Sequence, residues 1–170
     1  MILGGVRSGK SRLAEQLAIA SGLAVTYLAT ATAGDEEMRR RIDAHRMRRP
    51  QYWATIEEPL TVGAALRAHA GPDRILIVDC LTLWLTNLLL AADPQTLLRE
   101  RDDLLAALPE LDGDVIFVGN ETGLGIVPVD PLSRRFGDEA GTLHQALAER
   151  CERVILTVAG LPQVLKGAPL

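Results

Sequence analysis

An α/β domain occupying residues 1–170, with a mostly parallel sheet flanked by helices, is the architecture the sequence predicts. Three observations lead to it. Short apolar runs rich in β-branched residues alternate with stretches of helical periodicity, and strands separated by helices require crossovers that give a parallel sheet. The composition is that of an ordinary globular chain, 170 residues with 48% hydrophobic and 24% charged, which excludes disorder and suits one packed core. The residues with the most evident chemistry, Gly4, Asp79 and Gly119-Asn120, fall at the carboxyl ends of expected strands, where open α/β sheets bind ligands.

The elements follow in order. Ile2-Leu3 starts a very short strand, and 11–21 carries Leu13, Leu17 and Ile19 with Ala14 and Ala18 at helical spacing, ended by Gly22. Residues 24–29 are β-branched and aromatic and read as a strand. A charged helix is expected over 35–48, stopped by Pro50, then a strand over 53–56 and a helix over 59–70 ended by Gly71-Pro72. The run Ile75-Leu76-Ile77-Val78 within 74–79 is a buried strand. Helices follow over 83–91 and 94–108, a strand over 114–118, and a helix over 131–150 that Gly137 and Gly141 weaken. The last strand is expected over 154–158. Trp53 and Trp84 read as core residues, His69 as a helix end, and His144 as a residue within a helix.

Gly4-Gly5-Val6-Arg7-Ser8-Gly9-Lys10-Ser11 has the G-x-x-x-x-G-K-S spacing of a phosphate-binding loop, with a strand before it and an amphipathic helix after it. Glycines let backbone N–H groups curl around phosphate oxygens, and the helix adds its positive end. In that arrangement Lys10 reaches the β- and γ-phosphates and the Ser11 hydroxyl is a magnesium ligand. Asp79, closing its apolar strand, is the carboxylate expected to complete the metal shell or, more simply, to cap the next helix.

Segment 39–49 holds six arginines, Arg39, Arg40, Arg41, Arg46, Arg48 and Arg49, with His45 among them and only Asp43 opposing. On a helix, Arg41, His45 and Arg49 stack on one face at four-residue spacing. A solvated charged face accounts for such a run. Equally, a cationic surround favours the neutral imidazole, which attacks phosphorus and holds a transferable group. A kinase has no need of that residue; a nucleotidyltransferase uses one. Glu57 and Glu58 either contact a ribose or base, or open the following helix; the residues alone favour the second.

Taken together, the loop at 4–11, His45-Arg46 through Arg49-Pro50 with Trp53, Val78-Asp79-Cys80-Leu81-Thr82 with Asn87-Leu88-Leu89, and Asn120-Glu121-Thr122-Gly123-Leu124-Gly125-Ile126-Val127-Pro128 resemble the bifunctional adenosylcobinamide kinase/adenosylcobinamide-phosphate guanylyltransferase family of cobalamin biosynthesis. The resemblance covers nearly the whole chain. It implies a RecA-like P-loop NTPase fold and two reactions. ATP or GTP phosphorylates the aminopropanol hydroxyl of adenosylcobinamide, and GMP from GTP is then transferred to that phosphate, giving adenosylcobinamide-GDP and pyrophosphate. It also implies that His45 carries GMP covalently, with Lys10 the other catalytic residue. Nucleotide contacts map to Gly4, Gly5, Val6, Arg7, Ser8, Gly9, Lys10, Ser11, Ala29, Thr30, Ala31, Arg46, Met47, Arg48, Arg49, Glu57 and Asp79, with Ser11 and Asp79 holding Mg2+. A homo-oligomer, a trimer or similar ring, is implied as well. Val6 departs from the alanine common in the family. The loop 120–128 is either a structural turn or a substrate contact.

Other classes fit less well. The net charge is −4 and aromatics are 4% of the chain, so a nucleic-acid partner is not expected. The apolar stretch 81–92 is shorter than the about 20 residues of a membrane span. Two distant cysteines, Cys80 and Cys151, read as free thiols, and no basic-then-apolar leader precedes the first strand, so a cytoplasmic protein is expected. A plain P-loop kinase shares the loop and Asp79 but lacks a nucleotide on His45. A GTP-dependent regulatory protein would carry an Asn-Lys-x-Asp motif, which Asn120-Glu121-Thr122-Gly123 is not.

Overall fold

The computed structural model describes residues 1–170, apart from the side chain of Arg48. Seven strands form one sheet: β1 (Ile2–Gly4), β2 (Ala24–Ala29), β3 (Ala54–Glu57), β4 (Arg74–Asp79), β5 (Asp114–Asn120), β6 (Val154–Val158) and β7 (Leu161–Lys166). Their order is β3-β2-β4-β5-β1-β6-β7, and only the β6–β7 pair is antiparallel. Six α-helices accompany them: α1 (Lys10–Ala20), α2 (Glu36–Arg48), α3 (Val62–His69), α4 (Leu81–Leu89), α5 (Thr96–Ala107) and α6 (Pro131–Arg150). The expected mostly parallel α/β sheet with flanking helices is what forms.

Alternation along each strand divides the core in two. Ile2, Val25, Tyr27, Ile75, Ile77, Val118 and Ile155 face Ala14 and Ala18 of α1, with Trp53 beside them. Leu3, Leu28, Leu76, Val78, Phe117 and Val154 face the other way, onto Leu66 of α3, Trp84 of α4, Leu104 of α5 and Leu143 and Leu147 of α6. Both faces of the central strands are therefore apolar, which is why β4 reads as an unbroken hydrophobic run. Trp84 is fully buried and its Nε1–H donates to Leu60 O at 2.7 Å, as burial of an indole requires.

Two helix starts shift, and the sixth helix keeps its expected bounds. The third helix begins at Val62 rather than at 59, because the Glu58 carboxylate accepts N–H from Leu60 and Thr61 and holds that turn outside the helix. The fourth begins at Leu81, immediately after Asp79-Cys80, and runs to Leu89. The sixth is continuous through Gly137 and Gly141; Pro131 at its first turn and the Asp130 side chain accepting from Ser133 N–H start it firmly.

The expectation that 154–158 is the last strand is corrected. The chain reverses at Ala159 and Gly160, both at positive φ (51° and 81°), and returns as β7. Two left-handed residues suit a tight hairpin. The signal was weak because Ala-Gly is not a usual pair there, and Pro162 confines the run to an edge strand.

Candidate active site

The loop between β1 and α1 is fixed largely by backbone. Ser8 N–H donates to Gly5 O (3.2 Å), Leu13 N–H to Gly9 O (3.0 Å), and Gly160 N–H, from the β6–β7 turn, to Ser8 O (2.9 Å). Gly9 adopts φ 100° and Arg7 φ 55°, the left-handed turns that let successive N–H groups face one centre. Lys10 and Ser8 are 7% and 8% exposed, whereas Val6 is 73% exposed, so its departure from alanine meets solvent rather than packing. The Lys10 ammonium donates to Gly5 O at 2.6 Å. Burial pulls it below the usual lysine range, with the charge of Asp79 opposing.

Asp79 stands at the carboxyl end of β4, two strands from the loop. The Tyr27 hydroxyl, from β2, donates to its Oδ2 at 2.5 Å. Burial, and then the neighbouring Asp79 charge, push the Tyr27 phenol well above its ordinary pKa, so it remains a proton donor to the carboxylate. The Arg49 guanidinium lies over the face of the same ring, 3.5 Å from its centroid. Burial and Asp79 also raise the Cys80 thiol to about 11, so it is an inert neutral group, and both cysteines are free.

The arginine-rich segment sorts into two kinds of residue. Arg39 pairs with Glu36 (2.9 Å) and Arg41 with Glu37 (2.5 Å), ordinary exposed pairs along a helix whose start is capped by Asp35. Their partners lie just ahead of 39–49. Arg46 instead reaches Glu57 at the end of β3 (2.5 Å). Arg49 does not stack with Arg41 and His45: α2 ends at Arg48, and Arg49 is extended and turned toward β2. His45 is half-buried on the last turns of α2, and Met47 is 81% exposed. The backbone of Arg48 belongs to α2; its side chain lies outside the described part.

The remaining predicted residues link these pieces. Ala29 ends β2, and Thr30, fully buried, both donates to Cys80 O (2.8 Å) and accepts Cys80 N–H (2.9 Å), tying the ends of β2 and β4 together. Ala31 follows, half-buried. Asn87 of α4 donates to Thr30 O and Pro59 O, clamping both connections. The two glutamates divide their roles: Glu57 pairs with Arg46, and Glu58 caps the approach to α3. Burial opposes its ionisation, but accepting N–H from Leu60 and Thr61 leaves its pKa lowered. Residues 120–128 leave β5 beside the loop, with Glu121 N–H on Gly4 O at 3.0 Å.

Sequence reasoning missed Tyr27, which looks like any strand aromatic, and Glu121 as an individual residue. No contact described here joins His45 directly to Lys10. Among the described residues no group of three or more His, Cys, Asp or Glu forms a metal cage. Ser11 and Asp79 offer one hydroxyl and one carboxylate, a donor set suited to an ion that keeps most of its ligands as water and phosphate, as magnesium does. Nor, among the described residues, is any helix long and apolar enough to cross a membrane.

Comparisons with known proteins give the family and the fold. A family model for cobinamide kinase / cobinamide phosphate guanyltransferase matches residues 1–165. The chain is 67% identical over 170 residues to the bifunctional adenosylcobalamin biosynthesis protein CobP of Pseudomonas aeruginosa, covering 100% of this chain and 98% of that one. It is 37% identical over 179 residues to the corresponding CobU protein of Escherichia coli, covering 98% of each. A solved protein from Pyrococcus horikoshii OT3, 10% identical, superposes with a TM-score of 0.51 over 99% of this chain and 85% of that chain, a likeness of fold alone. With a family model spanning nearly all its length and full-length relatives of this similarity, the chain belongs to the cobinamide kinase / cobinamide phosphate guanyltransferase family.

Proposed function

We propose that the two reactions of this family, phosphorylation of adenosylcobinamide and guanylyl transfer to its phosphate, share the loop at 4–11, with His45 the residue that carries GMP. ATP and GTP are the nucleotide substrates and the acceptor is a corrinoid. Loop amides and Lys10 neutralise the phosphates. For guanylyl transfer a His45 ring nitrogen attacks the α-phosphorus, the bond to the bridging oxygen breaks, and pyrophosphate leaves. A phosphate oxygen of the corrinoid then displaces the imidazole, giving adenosylcobinamide-GDP. Arg46 and Arg49 steady charge on the non-bridging oxygens. Ser11 and Asp79 would hold Mg2+, which supplies charge neutralisation at the phosphates when bound.

The observation that carries this reading is that Asp79 accepts from Tyr27 and Tyr27 lies under Arg49, four residues from His45, while the Asp79 charge opposes the burial that lowers the Lys10 pKa. The phosphate loop and the end of α2 are thus parts of one electrostatic unit. In the same reading residues 1–170 work as one domain in the cytoplasm. The exposed Leu124, Ile126, Val127 and Val129 favour a homo-oligomer in which that face is covered.

The test is labelling with GTP bearing ³²P at the α- or the γ-position, followed by denaturing electrophoresis. The expected result is an α-label that is acid-labile, alkali-stable and absent from His45→Ala. Folded wild-type protein that takes no α-label with magnesium present would sink the covalent route.

A further inference from the structure

Four carboxylates lie at the carboxyl edge of the sheet, each accepting at least one hydrogen bond, and Glu121 is the one that adjoins the phosphate loop. Asp79 accepts from Tyr27. Glu57 is paired with Arg46, and Glu58 accepts two backbone N–H groups. The fourth, Glu121, follows β5 and is held beside the loop by its own N–H on Gly4 O. Its Oε1 accepts Gly123 N–H at 2.5 Å, and Oε2 has no protein partner among the described contacts. The Lys10 ammonium, which in the reading above meets the terminal phosphates, donates to Gly5 O, one residue from Gly4. A cleft of about 520 Å³, lined by Thr86, Leu90, Thr122, Gly123, Ile126 and Phe136 among others, opens next to Glu121. His144 Nε2 sits 3.2 Å from where a Cβ on Gly119 would lie, two residues before Glu121. Burial lowers the His144 pKa, and the Glu121 charge opposes it, so the two groups feel one another.

We propose that Glu121 is the proton acceptor of the phosphorylation half-reaction, with the acceptor alcohol entering from this cleft. The proposal rests on the kinase reading given above. The alcohol O–H bond breaks and its proton passes to the Glu121 carboxylate. The freed oxygen bonds to the γ-phosphorus, the bond from that phosphorus to the β,γ-bridging oxygen breaks, and the nucleoside diphosphate leaves with the electron pair. Guanylyl transfer has no such need. A phosphate monoester has a second pKa near ~6 and already presents an unprotonated oxygen at neutral pH. Glu121 therefore serves one half-reaction only.

Glu121→Gln tests this, because the amide oxygen still accepts from Gly123 N–H. Two rates are measured on the full chain: phosphorylation of adenosylcobinamide from γ-labelled nucleotide, and guanylyl transfer to adenosylcobinamide supplied already phosphorylated. The expected result is a loss of about 10²–10³-fold in phosphorylation kcat, the usual weight of a general base, with guanylyl transfer kept within about threefold. That second rate also reports a folded protein. An active wild type with equally rapid phosphorylation by Glu121→Gln, or a loss shared equally by both halves, overturns the proposal alone. A wild type that transfers GMP but phosphorylates nothing overturns the kinase reading and the proposal with it.

Discussion

Lys10 and Ser8 are buried in a loop built from backbone hydrogen bonds, whereas α2 buries none of its described residues and is held to the sheet through side chains. Both sit on the same carboxyl edge. In the proposed role the loop presents N–H groups to phosphate, so its dihedral angles are its chemistry, and a side-chain change matters when it disturbs them. Helix α2 presents side chains, and its position depends on what Arg46 and Arg49 grip. The difference teaches where each half is vulnerable: the loop to a single methyl group, the helix to the loss of a partner.

The strongest way to break the contrast is Gly4→Ala. A Cβ there would lie 2.3 Å from Thr157 O and 2.7 Å from Ser8 Oγ, at φ +155°. We expect a loss of about 1–3 kcal/mol of stability, as for overpacked sites, with nucleotide binding lost in both half-reactions. Thermal melting and nucleotide titration check it; an unchanged melt with normal binding would mean the loop yields more than its contacts allow. Next in size is Tyr27→Phe, which keeps the ring under Arg49 and removes only the hydroxyl. Asp79 loses its donor, and the expected cost is about 1–2 kcal/mol in a urea titration. A neutral result there would detach the two halves from each other. The smallest effect should come from Arg46→Ala and Glu57→Ala. Both side chains are more than half exposed, at 58% and 63%, so the pair contributes at most about 1 kcal/mol. A double-mutant cycle on stability, read beside the KM for GTP, sharpens the comparison: stability should scarcely move while KM rises.

The same contrast governs what the sequence made legible. The phosphate loop and Asp79 could be read because their chemistry is local: a spacing of glycines, a lysine, and a carboxylate ending an apolar run. Strand alternation and the flanking helices were equally local. His45 stood out only as one histidine among arginines, and its role came from resemblance rather than from spacing. Arg49 was misplaced because helical periodicity was extended one residue past the point where the backbone turns out at Arg49, before Pro50. Tyr27 and Glu121 were not legible as residues of the candidate site. Their importance lies in pairing with Asp79 and Gly4, contacts between strands far apart in sequence. The β7 hairpin was missed because its turn works through two positive φ angles that Ala159-Gly160 does not advertise.

Strand β1 is three residues long and lies in the middle of the sheet, bonded to β5 on one side and β6 on the other. The Met1 amino group also reaches Arg153 O at 2.8 Å. On the ribosome, therefore, β1 has no strand to pair with until residues 114–158 emerge. At synthesis rates of about 5–20 residues per second, that wait is on the order of ten seconds. The brace on Ser8 from Gly160 arrives later still. The loop after β1 is thus braced across nearly the whole length of the sequence, and its shape waits on β6 and the turn that follows it.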